Sequence, residues 1–269
     1  MFYESGIIYK STFLDGVCHG FSTRLGGVSR APHTATMNLG FDRGDSREEV
    51  LENYSILARE ISGGTCTEAD VVITSQIHSA KVRVISSANR GEGITRESGE
   101  PCDGFVTDER GVMPIIRVAD CTPILLCGTK ADASPVIGAV HAGWRGSALG
   151  IAAEAVRAMR ELGCSVNSIK VAIGTHIGFC CYEVGEDFIE SVRELCGADF
   201  ASRHIRRAES GSYHADLTGM NVEFLTSAGV LRESIDISHE CTMCDPAKYH
   251  SHRATRGLRG TMGAGIVIL

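Results

Sequence analysis

What this chain has little of narrows its class first. Aromatic residues make up only 6% of its 269 residues, and there is a single tryptophan. That argues against a stacking platform for single-stranded nucleic acid. There is no surplus of positive charge, since the formal net charge is -7. Nucleic-acid backbones are gripped by clustered Lys and Arg, so a general nucleic-acid binder is not expected. No stretch approaches the ~20 apolar residues of a membrane-spanning helix, so no membrane partner is expected either. The first ten residues, MFYESGIIYK, include an early Glu and no long apolar run, and do not read as a secretory signal. Prolines number only six, and no Ser-rich tract, charge block or repeat divides the chain. The expectation is one cytoplasmic domain spanning residues 1–269.

Cysteine is plentiful by contrast. Eleven is an odd count, and the residues are scattered. Without a secretory segment this points to free thiols in a reducing compartment, with a metal or catalytic role for one or two of them. Cys18, Cys127 and Cys164 sit beside apolar runs and read as small packing residues. Cys180 and Cys181 are adjacent, cannot bridge each other without strain, and read as structural. Cys241-Thr-Met-Cys244 has metal or redox spacing but no second such pair, so it reads as two incidental loop thiols.

The elements are legible from periodicity. Ser46-Arg-Glu-Glu49 is a capping box, and apolar residues follow at Val50, Tyr54, Leu57, Ala58 and Ile61 until Gly63-Gly64. A second helix runs from Ala148 to Leu162, a third contains Phe188 to Leu195, and a fourth runs from Leu217 to Ala228 with Asp216 as cap. Short apolar runs predict strands at Val71–Thr74, Val82–Ile85, Ile115–Val118, Ile124–Cys127, Val136–Val140, Ile169–Ile173 and Ile266–Leu269. The strands around Ile116 and Leu125 are joined too tightly for a helical crossover. That favours an α+β mixed sheet with flanking helices over a doubly wound parallel fold.

Three polar islands interrupt these strands. SQIHSAKV carries His78, RVADCTPILL carries Asp120 and Cys121, and VHAGWRG carries His141 and Arg145. Two imidazoles and a thiolate suit Zn²⁺ with an open fourth position. The same residues also fit a Cys121 nucleophile with His141 as its base. Asp120 could orient that imidazole, although neighbouring strand residues point to opposite faces. They fit equally a buried cysteine with two hydrogen-bonded histidines. Arg24 in FSTRLGGVS, Arg145, and Arg253 in YHSHRATR lie on Gly- or His-containing segments that suit an anion. MNLG, with Asn38, follows Arg24 closely. His176, His250 and His252 could line the same cleft.

Taken in order, FSTRLGGVS, NLG, QIHS, CDGFVT, RVADCTPILL, VIGAVHAGWRG and IGTHIGFCCYEVG resemble the bacterial YfiH family, also called the laccase-domain or multicopper polyphenol oxidoreductase family. The resemblance covers about Phe21 to the C-terminus. It implies a β-sandwich flanked by helices and one zinc on His78, Cys121 and His141. It implies small-molecule partners, purine nucleosides and phosphate. The reaction implied is phosphorolysis of adenosine, inosine, guanosine and methylthioadenosine, with adenosine deamination alongside. Arg24, Asn38, Arg145, His176 and Arg253 are the candidate substrate and phosphate contacts, and Asp120 and Arg145 join the three ligands as catalytic candidates. The alternatives it carries are a cysteine or metal hydrolase in peptidoglycan editing and a copper-dependent polyphenol oxidase. A multicopper oxidase needs many histidines, and this chain has ten with few in motif positions, which disfavours copper. The chain departs from the family where Gly174-Thr-His-Ile-Gly-Phe179 replaces a G-P-x-I-G-P pattern, losing two prolines and gaining His176. The family's S-x-R-R and T-G-R patterns near the end are matched only loosely, at Ser251–Ala254 and Arg259–Thr261. No sequence feature bears on oligomeric state.

Overall fold

Two six-stranded sheets face each other in the computed structural model, which describes residues 1–209 and 211–269. The first runs Phe2–Ser5, Ile8–Ser11, Cys18–Ser22, Met262–Val267, Met113–Val118, Val71–Val72. The second runs Ile235–Ile237, Lys170–Ile173, Thr122–Thr129, Pro135–Ala142, Gly104–Thr107, Val82–Val84. Most neighbours are antiparallel; the outer pairs Val71–Val72/Met113–Val118, Val82–Val84/Gly104–Thr107 and Lys170–Ile173/Ile235–Ile237 are parallel.

Alternation along the strands builds the layers. Leu125 turns into the space between the sheets, where it meets Phe21, Ile116, Ala264 and Ile266. Its neighbours Ile124 and Leu126 turn outward onto Ile151, Ala155 and Met159 of the helix Ile151–Glu161. On the other side, Met113, Ile115 and Val267 pack against Val50, Tyr54, Leu57 and Ile61 of the helix Arg47–Ser62. The result is helix, sheet, sheet, helix, the α+β arrangement expected. Three more helices, Glu186–Cys196, Ala198–His204 and Leu217–Ser227, share a separate apolar cluster with a small three-stranded sheet.

The local signals hold in detail. Ser46 Oγ accepts from the Glu49 N–H at 3.2 Å, the Glu49 carboxylate accepts from the Ser46 N–H, and Gly63 ends that helix at φ 64°. The second helix differs from expectation. It breaks into Trp144–Ala148 and Ile151–Glu161, because Gly150 takes φ 76° between them. VHAGWRG is therefore a strand end running straight into a short helix. The tight link from Val118 to Thr122 also differs from a hairpin within one sheet: it carries the chain from the first sheet into the second. No described helix is long and apolar enough to cross a membrane.

Candidate metal centre and the clefts beside it

The three polar islands converge at that crossing. His78 lies on the loop between Val71–Val72 and Val82–Val84, Cys121 on the crossing itself, and His141 one residue before the end of Pro135–Ala142. Their ligand atoms all lie within 4.8 Å of one another. Cys121 Sγ is 3.9 Å from His78 Nε2, and the two imidazoles meet edge to face at 4.9 Å. Two residues here, His78 at φ 59° and Asp120 at φ 82°, occupy the left-handed region that side chains disfavour. Such strain persists only where surrounding bonds over-determine it, and it gathers at functional sites.

At His78, Asp103 supplies those bonds. Its fully buried carboxylate accepts from the backbone N–H groups of His78 at 2.9 Å and Ser79 at 2.7 Å, and from Ser79 Oγ at 2.8 Å. It also accepts from His141 Nδ1 at 2.9 Å. Burial alone would raise its pKa; the His141 and Ser79 hydrogen bonds overcome that and hold it at about 2. An ionised carboxylate can only accept, so Nδ1 carries the proton and His141 Nε2 is left free for the site. Burial likewise opposes ionisation of Cys121, but the neighbouring His141 and His78 bring the thiol down to about 6. Burial would also discharge His141, yet the Cys121 thiolate and Asp103 raise it to about 9. Without a metal the site thus favours a Cys121 thiolate beside a His141 imidazolium; a metal that displaced the Nε2 proton would meet two imidazoles and a thiolate, a donor set for a borderline-soft ion with one position left open.

The glycines of VHAGWRG now have a reason. A Cβ on Gly143 would stand 2.6 Å from His78 Cδ2 and 3.3 Å from Cys121 Sγ, and one on Gly146 would stand 2.7 Å from the Ser79 carbonyl oxygen. Only hydrogen fits at either place. Trp144, which follows Gly143, packs its indole 4.9 Å from the Phe188 ring and under the Arg145 guanidinium at 4.1 Å.

Two partly open clefts meet at this point. The smaller, about 400 Å³, is walled by Arg43, Gln76, Arg117 and Arg259 together with His78, Cys121 and His141. The larger, about 730 Å³, also reaches His78 and Cys121 and is walled by Trp144, Arg145, Tyr182, His252 and Arg253. Three arginines and one aspartate, Asp42, line the smaller cleft, which leaves it net cationic. Among the described residues, the buried side-chain nitrogens without a hydrogen-bond partner are the Nε atoms of Arg43, Arg117 and Arg259, all in its wall. Arg43 Nε has only Asp42 nearby, at 3.2 Å and outside hydrogen-bond geometry. Burial, then the charge of Arg43, push the Arg259 guanidinium below its ordinary pKa. Crowded, under-paired guanidinium groups are what an anion would satisfy.

The structure sorts the remaining sequence candidates. Arg145 and Arg253 line the larger cleft, and the Arg253 guanidinium lies 5.2 Å from the Tyr182 ring centre. Arg24 is turned away: its guanidinium donates to the carbonyls of Ala35, Pro246 and Pro32. Asn38 is buried in the framework, bonded to Gly40, Asp45 and the Thr261 N–H. His176 lines neither cleft, with Nδ1 against the Gly174 carbonyl at 2.9 Å and Nε2 against Thr218 Oγ1 at 2.8 Å. Asp120 reaches the rim of the larger cleft, but its carboxylate is occupied by Thr242 Oγ1 and the Arg253 N–H, both at 2.6 Å. Asp103, Arg43, Gln76, Arg117, Arg259 and Tyr182 were not singled out from the sequence. Gln76, Asp103, Arg117 and Tyr182 sit inside the quoted QIHS, CDGFVT, RVADCTPILL and IGTHIGFCCYEVG segments, and Arg259 opens the loosely matched Arg259–Thr261 segment, so all but Arg43 carried a signal.

A two-histidine, one-cysteine cluster able to hold a metal, at the seam of a β-sandwich and flanked by an arginine-walled cleft, is the class of site this fold presents. The comparisons give the family. The model of the multi-copper polyphenol oxidoreductase laccase family matches residues 18–269, and the chain belongs to that family. A purine nucleoside phosphorylase, YlmD of Geobacillus stearothermophilus, is 35% identical, with 93% of this chain and 90% of that protein covered. Adenosine deaminase RL5, from an unknown prokaryotic organism, is 32% identical over 89% of each. The crystal structure of the hypothetical protein YfiH of Bacillus licheniformis superposes with a TM-score of 0.89 at 28% identity, over 100% of this chain and 99% of that one.

Proposed function

We propose that the protein is a zinc-dependent purine nucleoside phosphorylase acting on adenosine, inosine, guanosine and methylthioadenosine, with adenosine deamination as a second activity. The observation that carries this reading is the arginine-walled cleft opening onto the His78–Cys121–His141 centre. A cleft lined by under-paired guanidinium groups suits inorganic phosphate, the co-substrate that separates a phosphorylase from a hydrolase. The relatives named above are consistent with it.

His78 Nε2, Cys121 Sγ and His141 Nε2 would hold the zinc, and a bound zinc polarises an oxygen nucleophile beside it. The chain does the rest. Arg43 and Arg259, with Arg117 behind them, hold phosphate and offset its charge in the smaller cleft. Trp144 and Tyr182 offer flat surfaces to the purine and sugar in the larger one, with Arg145 and Arg253 at its polar edge. Asp103 keeps the His141 proton on Nδ1. Both clefts share Arg43, His78, Cys121 and Arg259, so the two substrates meet at the metal centre.

Copper oxidation of phenols fits less well. Among the described residues only two groups of metal-binding side chains form, a His₂Cys set and a set of four cysteines. Neither offers the histidine-rich cluster that coupled coppers need.

The test is a phosphate-dependence assay on zinc-loaded protein with adenosine and inosine. Free base plus ribose-1-phosphate, formed only when phosphate is present and lost in Cys121→Ala, is the expected result. Base release that ignores phosphate refutes the phosphorylase reading. Activity that survives chelation but not thiol alkylation would move Cys121 to the role of hydrolytic nucleophile.

A further inference from the structure

Four cysteines outside the metal centre converge on a single point. Cys180 and Cys181 lie in the loop that follows the strand Lys170–Ile173. Cys241 and Cys244 lie in the loop that follows Ile235–Ile237. These two strands are parallel neighbours, so both loops leave the sheet at the same end. The loops are then laced together, because the Thr242 N–H donates to the His176 carbonyl at 3.1 Å. Spacing along the chain hides this, since 59 residues separate Cys181 from the Cys241 loop.

The sulfur geometry is that of a cage. All four Sγ atoms lie within 4.8 Å of one another. Cys244 Sγ stands 3.6 Å from Cys180 Sγ and 3.4 Å from Cys181 Sγ. Disulfide sulfurs sit about 2.05 Å apart, so these are not bonded pairs. A tetrahedral ion with sulfur ligands at roughly 2.3 Å spaces them about 3.8 Å apart, within a few tenths of an ångström of the two separations at Cys244. The backbone is shaped to serve a thiolate here. The Gly178 N–H donates to Cys241 Sγ at 3.2 Å. A Cβ on Gly178 would stand 3.2 Å from Cys180 Sγ and 3.4 Å from Cys241 Cβ, so glycine permits that approach.

We propose that Cys180, Cys181, Cys241 and Cys244 bind one tetrahedral Zn²⁺ as a structural clamp, separate from the His78–Cys121–His141 centre. Four soft ligands leave no open position, which marks a structural site, and they exclude hard cations such as Mg²⁺ and Ca²⁺. The clamp ties down two loops that frame the larger cleft. Tyr182, next to Cys181, is part of its wall. Thr242, between the paired cysteines, donates to Asp120 beside Cys121. The assignment holds whichever reaction the protein catalyses.

Metal content of the full chain grown with zinc tests it. The wild type should carry two zinc ions, one for each donor set. Cys121→Ala and the double variant Cys180→Ser/Cys244→Ser should each carry one. After cobalt substitution, Cys121→Ala should keep the intense spectrum of a four-thiolate tetrahedral site. Should the double variant fail to fold, alkylation of the native wild type decides: the four thiols should be protected until a chelator is added. A metal-free Cys121→Ala chain, alkylation before chelation, a disulfide among the four, or iron in place of zinc would each overturn the proposal.

Discussion

Replacing Asp103 by Asn removes one negative charge from behind the metal centre while keeping the side chain's size. Asp103 accepts from His78, Ser79 and His141 together, so it fixes the backbone of one ligand and the ring tautomer of another. An amide must turn an N–H₂ toward at least one of those donors, leaving a buried polar group without a partner. The carboxyl pKa of about 2, against an ordinary 3.8, corresponds to about 2 kcal/mol of folded-state stabilisation at neutral pH. A depressed carboxyl contributes fully above its unfolded pKa and loses that contribution as pH falls through its folded one. The difference between wild type and Asp103→Asn should therefore be present at pH 7 and shrink between pH ~4 and ~2. Loss of the partner behind a ligating histidine should also weaken metal binding by roughly 10–100-fold. Urea unfolding of the metal-free chain across pH, with chelator competition at pH 7, reads both effects. A variant that binds zinc within roughly threefold of wild type and unfolds with an unchanged pH profile would refute the account of Asp103.

Four further outcomes are expected. Gly143→Ala should weaken zinc binding measured by chelator competition, because its Cβ would press on His78 and Cys121; unchanged affinity would show that the loop yields. Arg259→Ala should raise KM for phosphate by at least about tenfold, given the strength of charge-assisted bonds. Arg24→Ala, whose guanidinium serves only carbonyls of its own framework, should instead lower Tm and leave phosphate KM unchanged. Trp144→Ala should raise nucleoside KM and spare phosphate KM, since Trp144 lines only the larger cleft.

Much of the scaffold was legible because periodicity and capping act locally. The Ser46 box, the Gly63 stop and the Asp216 cap, whose carboxylate accepts from the Gly219 N–H at 2.9 Å, need nothing beyond a few neighbouring residues. The strands Phe2–Ser5 and Ile8–Ser11 were missed because Glu4 and Lys10 break the apolar pattern of short strands near the sheet edge. The split of the second helix turns on one glycine at positive φ, which periodicity does not register. His78, Cys121 and His141 stood out as polar islands at strand ends, while their meeting depends on two sheets coming together. Arg117 and Arg259 lie in motif segments and Arg43 does not, but the three become a cleft wall only through long-range packing. Cys180-Cys181 looked merely structural and Cys241/Cys244 incidental for the same reason. Each pair supplies half of a tetrahedron, and only the parallel pairing of two distant strands brings the halves together.

Two differently walled clefts share one centre. On the proposed assignment of phosphate to one and nucleoside to the other, each substrate has a wall of its own to bind. Order of arrival becomes immaterial, and both must be aboard before anything departs. Double-reciprocal plots should intersect rather than run parallel, and neither product should wait behind the other on the way out.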